Sequence, residues 1–103
     1  MIIKFANSYL KKLYSNEQVK GKPVYGSEVV EKFRERVLLM EQLESTKHLR
    51  QYKSLHFEAL KGNKKGLYSI RVNKQYRIEF HIEKDTLTLM EIVLIEELSK
   101  HYE

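Results

Sequence analysis

LKGNKKGLYSIRVNKQYRIEF, residues 60–80, is a basic loop punctuated by two glycines that runs into two alternating segments. Tyr68, Ile70 and Val72 alternate with Ser69 and Arg71. Beyond Asn73, Lys74 and Gln75, the residues Tyr76, Ile78, Phe80 and Ile82 alternate with Arg77, Glu79, His81 and Glu83. A period of two marks a half-buried strand, so the pattern predicts an antiparallel hairpin. If the apolar residues of both strands face one core, paired residue numbers have an even sum. A three-residue loop over residues 73–75 meets that condition by pairing Val72 with Tyr76. Ile70 then meets Ile78, Tyr68 meets Phe80, Ser69 meets Glu79, and Arg71 stands directly across from Arg77.

Two like charges about 5 Å apart across a sheet repel and need a neutralising partner. A phosphate would supply one, and so would Glu79, two residues from Arg77 on the same face. Lys61, Lys64 and Lys65 lead straight into the hairpin, and arginine suits a phosphate because its planar fork donates to two oxygens and never deprotonates. The glycine loop has neither the Walker A spacing nor the Rossmann spacing. Alone, Gly62 and Gly66 signify turn geometry with lysines in water.

Working outward, residues 1–5 (MIIKF) suit an edge strand, and Leu10, Leu13 and Tyr14 recur at helical spacing in a short first helix. Residues 15–26 (SNEQVKGKPVYG) hold the only proline and read as a loop. A second helix is expected over residues 27–44, with Ser27 as N-cap, Glu28 in the positive first turn, and Val29, Val30, Phe33, Val37, Met40 and Leu43 on one face. Residues 45–52 add a helical turn capped by Ser45 or Thr46. Residues 86–95 (TLTLMEIVLI) are expected as a third strand, apolar on both faces, followed by a short helical or irregular tail, EELSKHYE. Helices followed by strands give an α+β fold, with N-terminal helices packed on a small antiparallel-type twisted sheet.

With 103 residues the chain is expected to form a single domain spanning residues 1–103. Nineteen Lys and Arg against fourteen Asp and Glu give a net charge of +5, which favours a polyanionic partner without specifying one. No cysteine is present, so disulfides and thiolate metal sites are excluded. No apolar run approaches membrane length and no secretory h-region follows the start, so a soluble cytoplasmic protein is expected.

The run ALKGNKKGLYSIRVNKQYRIEF, residues 59–80, resembles the signature of HigB-type toxins in the RelE/ParE superfamily, which commonly show L-K-G, a further K-G, S-I-R, and Q-W/Y-R-I. The helix pattern before it and the Glu91-Ile92-Val93 segment after it agree, while residues 15–26 look like an addition. The resemblance implies a type II toxin-antitoxin system and a helix-turn-helix, HigA-like antitoxin as partner. It further implies ribosome-dependent cleavage of mRNA, with no metal or other cofactor, through attack of a ribose 2′-hydroxyl on the adjacent phosphate.

Such a reaction needs cations over the developing charge, a base and an acid. The resemblance assigns Arg77, the arginine of Q-Y-R-I, to transition-state charge; Lys61 is a further catalytic candidate, and Arg71, Lys64, Lys65, His56 and Tyr68 are expected as RNA contacts. Many relatives close the last strand with Asp-Tyr-His, whereas residues 90–96 here read MEIVLIE. His101 and Tyr102, a few residues later, are the candidates for proton transfer, or else ordinary tail residues. His81 lies four residues from Arg77, roughly 13 Å along a strand, too far for one phosphate. His48 is expected in solvent. The missing triplet keeps two alternatives: a ParE-like gyrase poison without nuclease activity, and a degenerate basic binding module.

Overall fold

The computed structural model describes residues 1–18 and 21–100. Its elements are β1 (Ile2–Phe5), α1 (Ser8–Ser15), α2 (Ser27–Gln42), β2 (Glu58–Ala59), β3 (Tyr68–Arg71), β4 (Tyr76–Lys84) and β5 (Glu91–Lys100), with 3₁₀ turns at Thr46–Gln51, Lys53–Leu55 and Gly62–Lys64. The strands form one sheet in the order β1-β5-β4-β3-β2. β1 runs parallel to β5 at one edge, and every other pairing is antiparallel. This is the expected α+β fold, with one parallel pair added.

The hairpin has the register that the alternation demands: Tyr68 pairs with Phe80, Ser69 with Glu79, Ile70 with Ile78 and Arg71 with Arg77. Asn73 shapes its turn, since its side-chain oxygen accepts from the backbone N–H of Gln75 at 2.9 Å and of Tyr76 at 2.8 Å. The Val72 N–H donates to the Tyr76 carbonyl at 2.9 Å, closing the loop where expected.

α1 begins at Asn7, whose side chain accepts from the Leu10 N–H, and ends at Asn16 in the left-handed region at φ 62°. α2 buries Phe33, Val37 and Met40 completely, at the three-to-four-residue spacing of a single stripe. Its first helical residue is Ser27; the cap position belongs to Gly26, which has no side chain to offer, so the expected serine cap is not made. The helix also ends two residues early, at Gln42 rather than 44. The stripe packs with Ile70, Ile78, Phe80, Ile95 and Leu98 in one core on the helix side of the sheet.

The expected end of the chain needs correction. Residues 86–90 are not strand but a turn organised by Asp85, whose carboxylate accepts from the Thr88 N–H at 2.8 Å and hydroxyl at 2.7 Å. β5 instead continues through residues 96–100, where the sequence predicts a short helical or irregular tail. A bulge explains the misreading: Phe80 pairs with Ile95 but Glu79 with Glu97, so Glu96 is the extra residue. The inward residues Ile95 and Leu98 are therefore three apart instead of two, a spacing that imitates a helix.

The 15–26 segment returns to the sheet at Tyr25. Its hydroxyl donates to the Leu98 carbonyl at 2.7 Å, and its ring meets Tyr76 edge-on at 5.7 Å. Ser45, one of the two caps expected, holds that role for the Thr46–Gln51 turn. The carboxylate of Glu91 accepts from the hydroxyls of Ser45 and Thr46, joining that turn to β5.

Candidate functional site

Alternation along β4 sends Ile78 and Phe80 into the core and Arg77, Glu79 and His81 to the opposite, helix-free face. Registers with the neighbouring strands build two rows on that face. One runs Arg71, Arg77, Ser99, and the next runs Glu58, Ser69, Glu79, Glu97. A row of two cations thus lies beside a row holding three carboxylates, of which Glu58 and Glu97 are exposed and Glu79 is 1% exposed.

Glu79 is a neutralising partner of Arg77. Its carboxylate accepts from Arg77 Nε at 2.8 Å, from Lys64 Nζ at 2.8 Å on both oxygens, and from the Ser99 hydroxyl at 2.8 Å. Burial pushes this carboxyl's pKa up. The hydrogen bonds from Lys64, Ser99 and Arg77, with the charge of Lys64, outweigh burial and leave it below the ordinary carboxylate range. Of the two neutralisers open to the sequence, the carboxylate is built into the fold beside Arg77.

The lysine loop is closed at its neck by the Leu60 N–H donating to the Leu67 carbonyl at 2.9 Å. Gly62 at φ 68° and Gly66 at φ 100° take left-handed conformations that glycine adopts without cost, folding the loop back onto the sheet. Lys64 alone of the three expected lysines turns inward to Glu79; Lys61 and Lys65 are exposed. His81 fixes the loop at a second point. Its Nδ1 lies 3.2 Å from the Gly66 carbonyl, and its Nε2 lies 3.6 Å from Glu96 in the bulge.

The remaining expected site residues scatter. Tyr68 points to the helix side, where its ring stacks on Phe57 at 5.7 Å, and the Arg50 guanidinium lies over the Phe57 ring at 5.0 Å. Tyr68 is thus separated by the sheet from Arg71 and Arg77. His56 is exposed, in the left-handed region at φ 46°, at the end of the Lys53–Leu55 turn. His48 is half-buried rather than solvent-exposed. His101 and Tyr102 lie outside the described residues; Lys100, just before them, ends β5 opposite Tyr76. Sequence reasoning missed Ser99, because residues 96–100 looked like a tail, and Glu58, because a two-residue strand leaves no periodicity to read.

The family model described as RelE-like toxin of type II toxin-antitoxin system HigB matches residues 3–92. The chain belongs to the HigB-like toxin family. Among curated proteins no sequence matches this toxin. Its fold is similar to a solved YoeB/ParE toxin from Agrobacterium tumefaciens, with a TM-score of 0.59 and 14% identity over 99% of this chain and 100% of that one. It is also similar to the YoeB dimer and to the YoeB–YefM complex from Staphylococcus aureus. Each gives a TM-score of 0.53 at 20% identity, covering 99% of the HigB-like chain and 98% of the other. The five-stranded sheet with helices on one face is therefore the YoeB/ParE toxin fold.

Proposed function

We propose that this HigB-like toxin is a ribosome-dependent mRNA endonuclease, neutralised by a helix-turn-helix antitoxin and working without a metal. The observation that carries the reading is the pair of rows on the open face: Arg71 and Arg77 opposed on adjacent strands, with Glu79 one step along β4 from Arg77 and with Glu58 and Glu97 on the same row as Glu79. Attack of a ribose 2′-hydroxyl on its 3′-phosphate needs those two things side by side. The arginine row meets the negative charge that grows on the phosphorane oxygens, Arg77 from the centre of the site and Arg71 from the neighbouring strand. A proton acceptor for the 2′-hydroxyl then comes from the carboxylate row or from the end of β5. Glu58 is one of the two exposed carboxylates on that row, about 10 Å from Glu79 across two strand spacings, and Glu97, opposite Glu79, is the other. His101, immediately beyond β5, supplies an imidazole able to protonate the leaving 5′-oxygen, with Tyr102 as a second proton donor or a stacking surface. The products are a 2′,3′-cyclic phosphate and a free 5′-hydroxyl, and no water is consumed.

Arg77→Ala is the decisive variant. Loss of one transition-state donor should slow cleavage on the order of 10²–10³-fold and relieve growth arrest, with the fold retained. Full toxicity in Arg77→Ala would sink the assignment. DNA damage in place of mRNA decay after induction of the wild type would transfer it to gyrase poisoning.

A further inference from the structure

Glu79 poses a question that catalysis by Arg77 leaves open. It stands between Ile78 and Phe80, both fully buried, and is itself 1% exposed. A carboxylate in such a place costs more in desolvation than an apolar side chain of similar volume, and ion pairs seldom recover that cost as stability. Its partners come from three separate parts of the chain: Lys64 from the glycine loop, Arg77 from β4 and Ser99 from β5 beyond the bulge. All three donate within one carboxylate, and Oε2 alone takes bonds from each of them.

We infer that Glu79 is a positioning residue for phosphate binding, an inference that rests on the endonuclease reading. By holding Arg77 through Nε, it fixes the plane in which the guanidinium presents its two Nη groups. By holding Lys64 through both oxygens, it keeps a second cation beside that plane. Without the carboxylate, Lys64 and Arg77 lose the acceptor they share, and the lysine loop loses the tie that complements His81 at Gly66. A substrate phosphate thus meets cations already set in place, so orientation is settled before the reaction begins. Glu79 itself touches neither substrate nor reacting atoms.

The test measures mRNA cleavage on programmed ribosomes by wild type, Arg77→Ala, Glu79→Gln, Ser99→Ala, Lys64→Ala and the Lys64→Ala/Glu79→Gln double variant. Glu79→Gln keeps the shape of the side chain and removes its charge. It should lower kcat by about 10²-fold with KM little changed, the scale expected of a misplaced reacting partner. Ser99→Ala, which removes one neutral donor, should act in the same direction but less. The double variant should be no slower than the slower single one, because both changes break one arrangement. A second readout is independent of activity: the Arg77 Nε–H signal by NMR should be protected from exchange in wild type and lose that protection in Glu79→Gln. Equal protection in both, an unchanged kcat in Glu79→Gln, or losses that multiply in the double variant would each overturn the inference. Wild type that cleaves no mRNA while showing the Glu79-dependent protection would refute the endonuclease reading and leave the positioning of Arg77 by Glu79 standing.

Discussion

Replacing Leu98 by alanine measures what the continuation of β5 is worth. Leu98 is 1% exposed and sits opposite Ile78, itself fully buried, on the far side of the bulge from Ile95. Leu→Ala removes three carbons, and at about 0.8 kcal/mol for each buried methylene the transfer part alone is about 2.4 kcal/mol. The space left between Ile78 and the helices adds a cavity contribution, bringing the expected loss to about 3–4 kcal/mol, within the range of core leucine truncations. For a domain of this size that lowers Tm by roughly 12 °C or more. The backbone carbonyl that receives the Tyr25 hydroxyl is unchanged by the substitution, so the measured loss reports the side chain. Urea unfolding followed by circular dichroism gives the number, with Leu87→Ala as the companion. Leu87 is 92% exposed in the turn before β5 and should change stability by no more than about 0.5 kcal/mol. If Leu98→Ala cost as little as Leu87→Ala, residues 96–100 would not be packed strand, and the placement of Ser99 beside Glu79 would fall with it.

Two further outcomes follow from particular groups. Glu79 and Glu91 both have carboxyl pKa values below their ordinary 4.5, in each case because hydrogen bonds outweigh a burial that acts the other way. Groups with depressed folded values stabilise the protein above the unfolded pKa and lose that contribution as pH falls through the folded one. Stability from urea midpoints should therefore decline below about pH 4.5, and the decline should be shallower in Glu79→Gln; an identical slope in the two proteins would contradict the ties to Lys64, Ser99 and Arg77. Leu89 holds φ 61° with its side chain 68% exposed, so glycine there relieves about 1 kcal/mol of left-handed strain and sacrifices no packing. Leu89→Gly should be neutral to about 1 kcal/mol stabilising by thermal melts, and a clear destabilisation would mean that the leucine side chain is held by contacts.

What the sequence disclosed depended on whether neighbouring residues carry the information. The register of β3 and β4 was legible because strict alternation and the turn-forming Asn73 both act over a few residues, and together they placed Arg71 against Arg77. The family signature over residues 59–80 was legible for the same reason. Which lysine of the loop turns inward was not, since Lys61, Lys64 and Lys65 are alike in chemistry and only the left-handed turns at Gly62 and Gly66 aim Lys64 at Glu79. Tyr68 stands apart from the arginine pair because the strand that carries Arg71 on one face carries Tyr68 on the other.

The bulge is where fold and chemistry meet. Were β5 to pair without it, continuing from Phe80 and Ile95, Glu97 would stand opposite Ile78 in the core and Leu98 opposite Arg77 on the open face. Burying that carboxylate among Ile70, Ile78 and Phe80 costs several kcal/mol, and Leu98 would leave the core for the charged face beside Arg77. The apolar pattern therefore forces one extra residue into β5, and Glu96 takes that place. The shift returns Leu98 to the core and puts Ser99 opposite Arg77, within 2.8 Å of Glu79. A hydroxyl then stands where the unshifted strand would have set a leucine against the carboxylate. The demand for a continuous core thus completes the hydrogen bonding of the one buried charged side chain among the described residues, and with it the setting of Arg77.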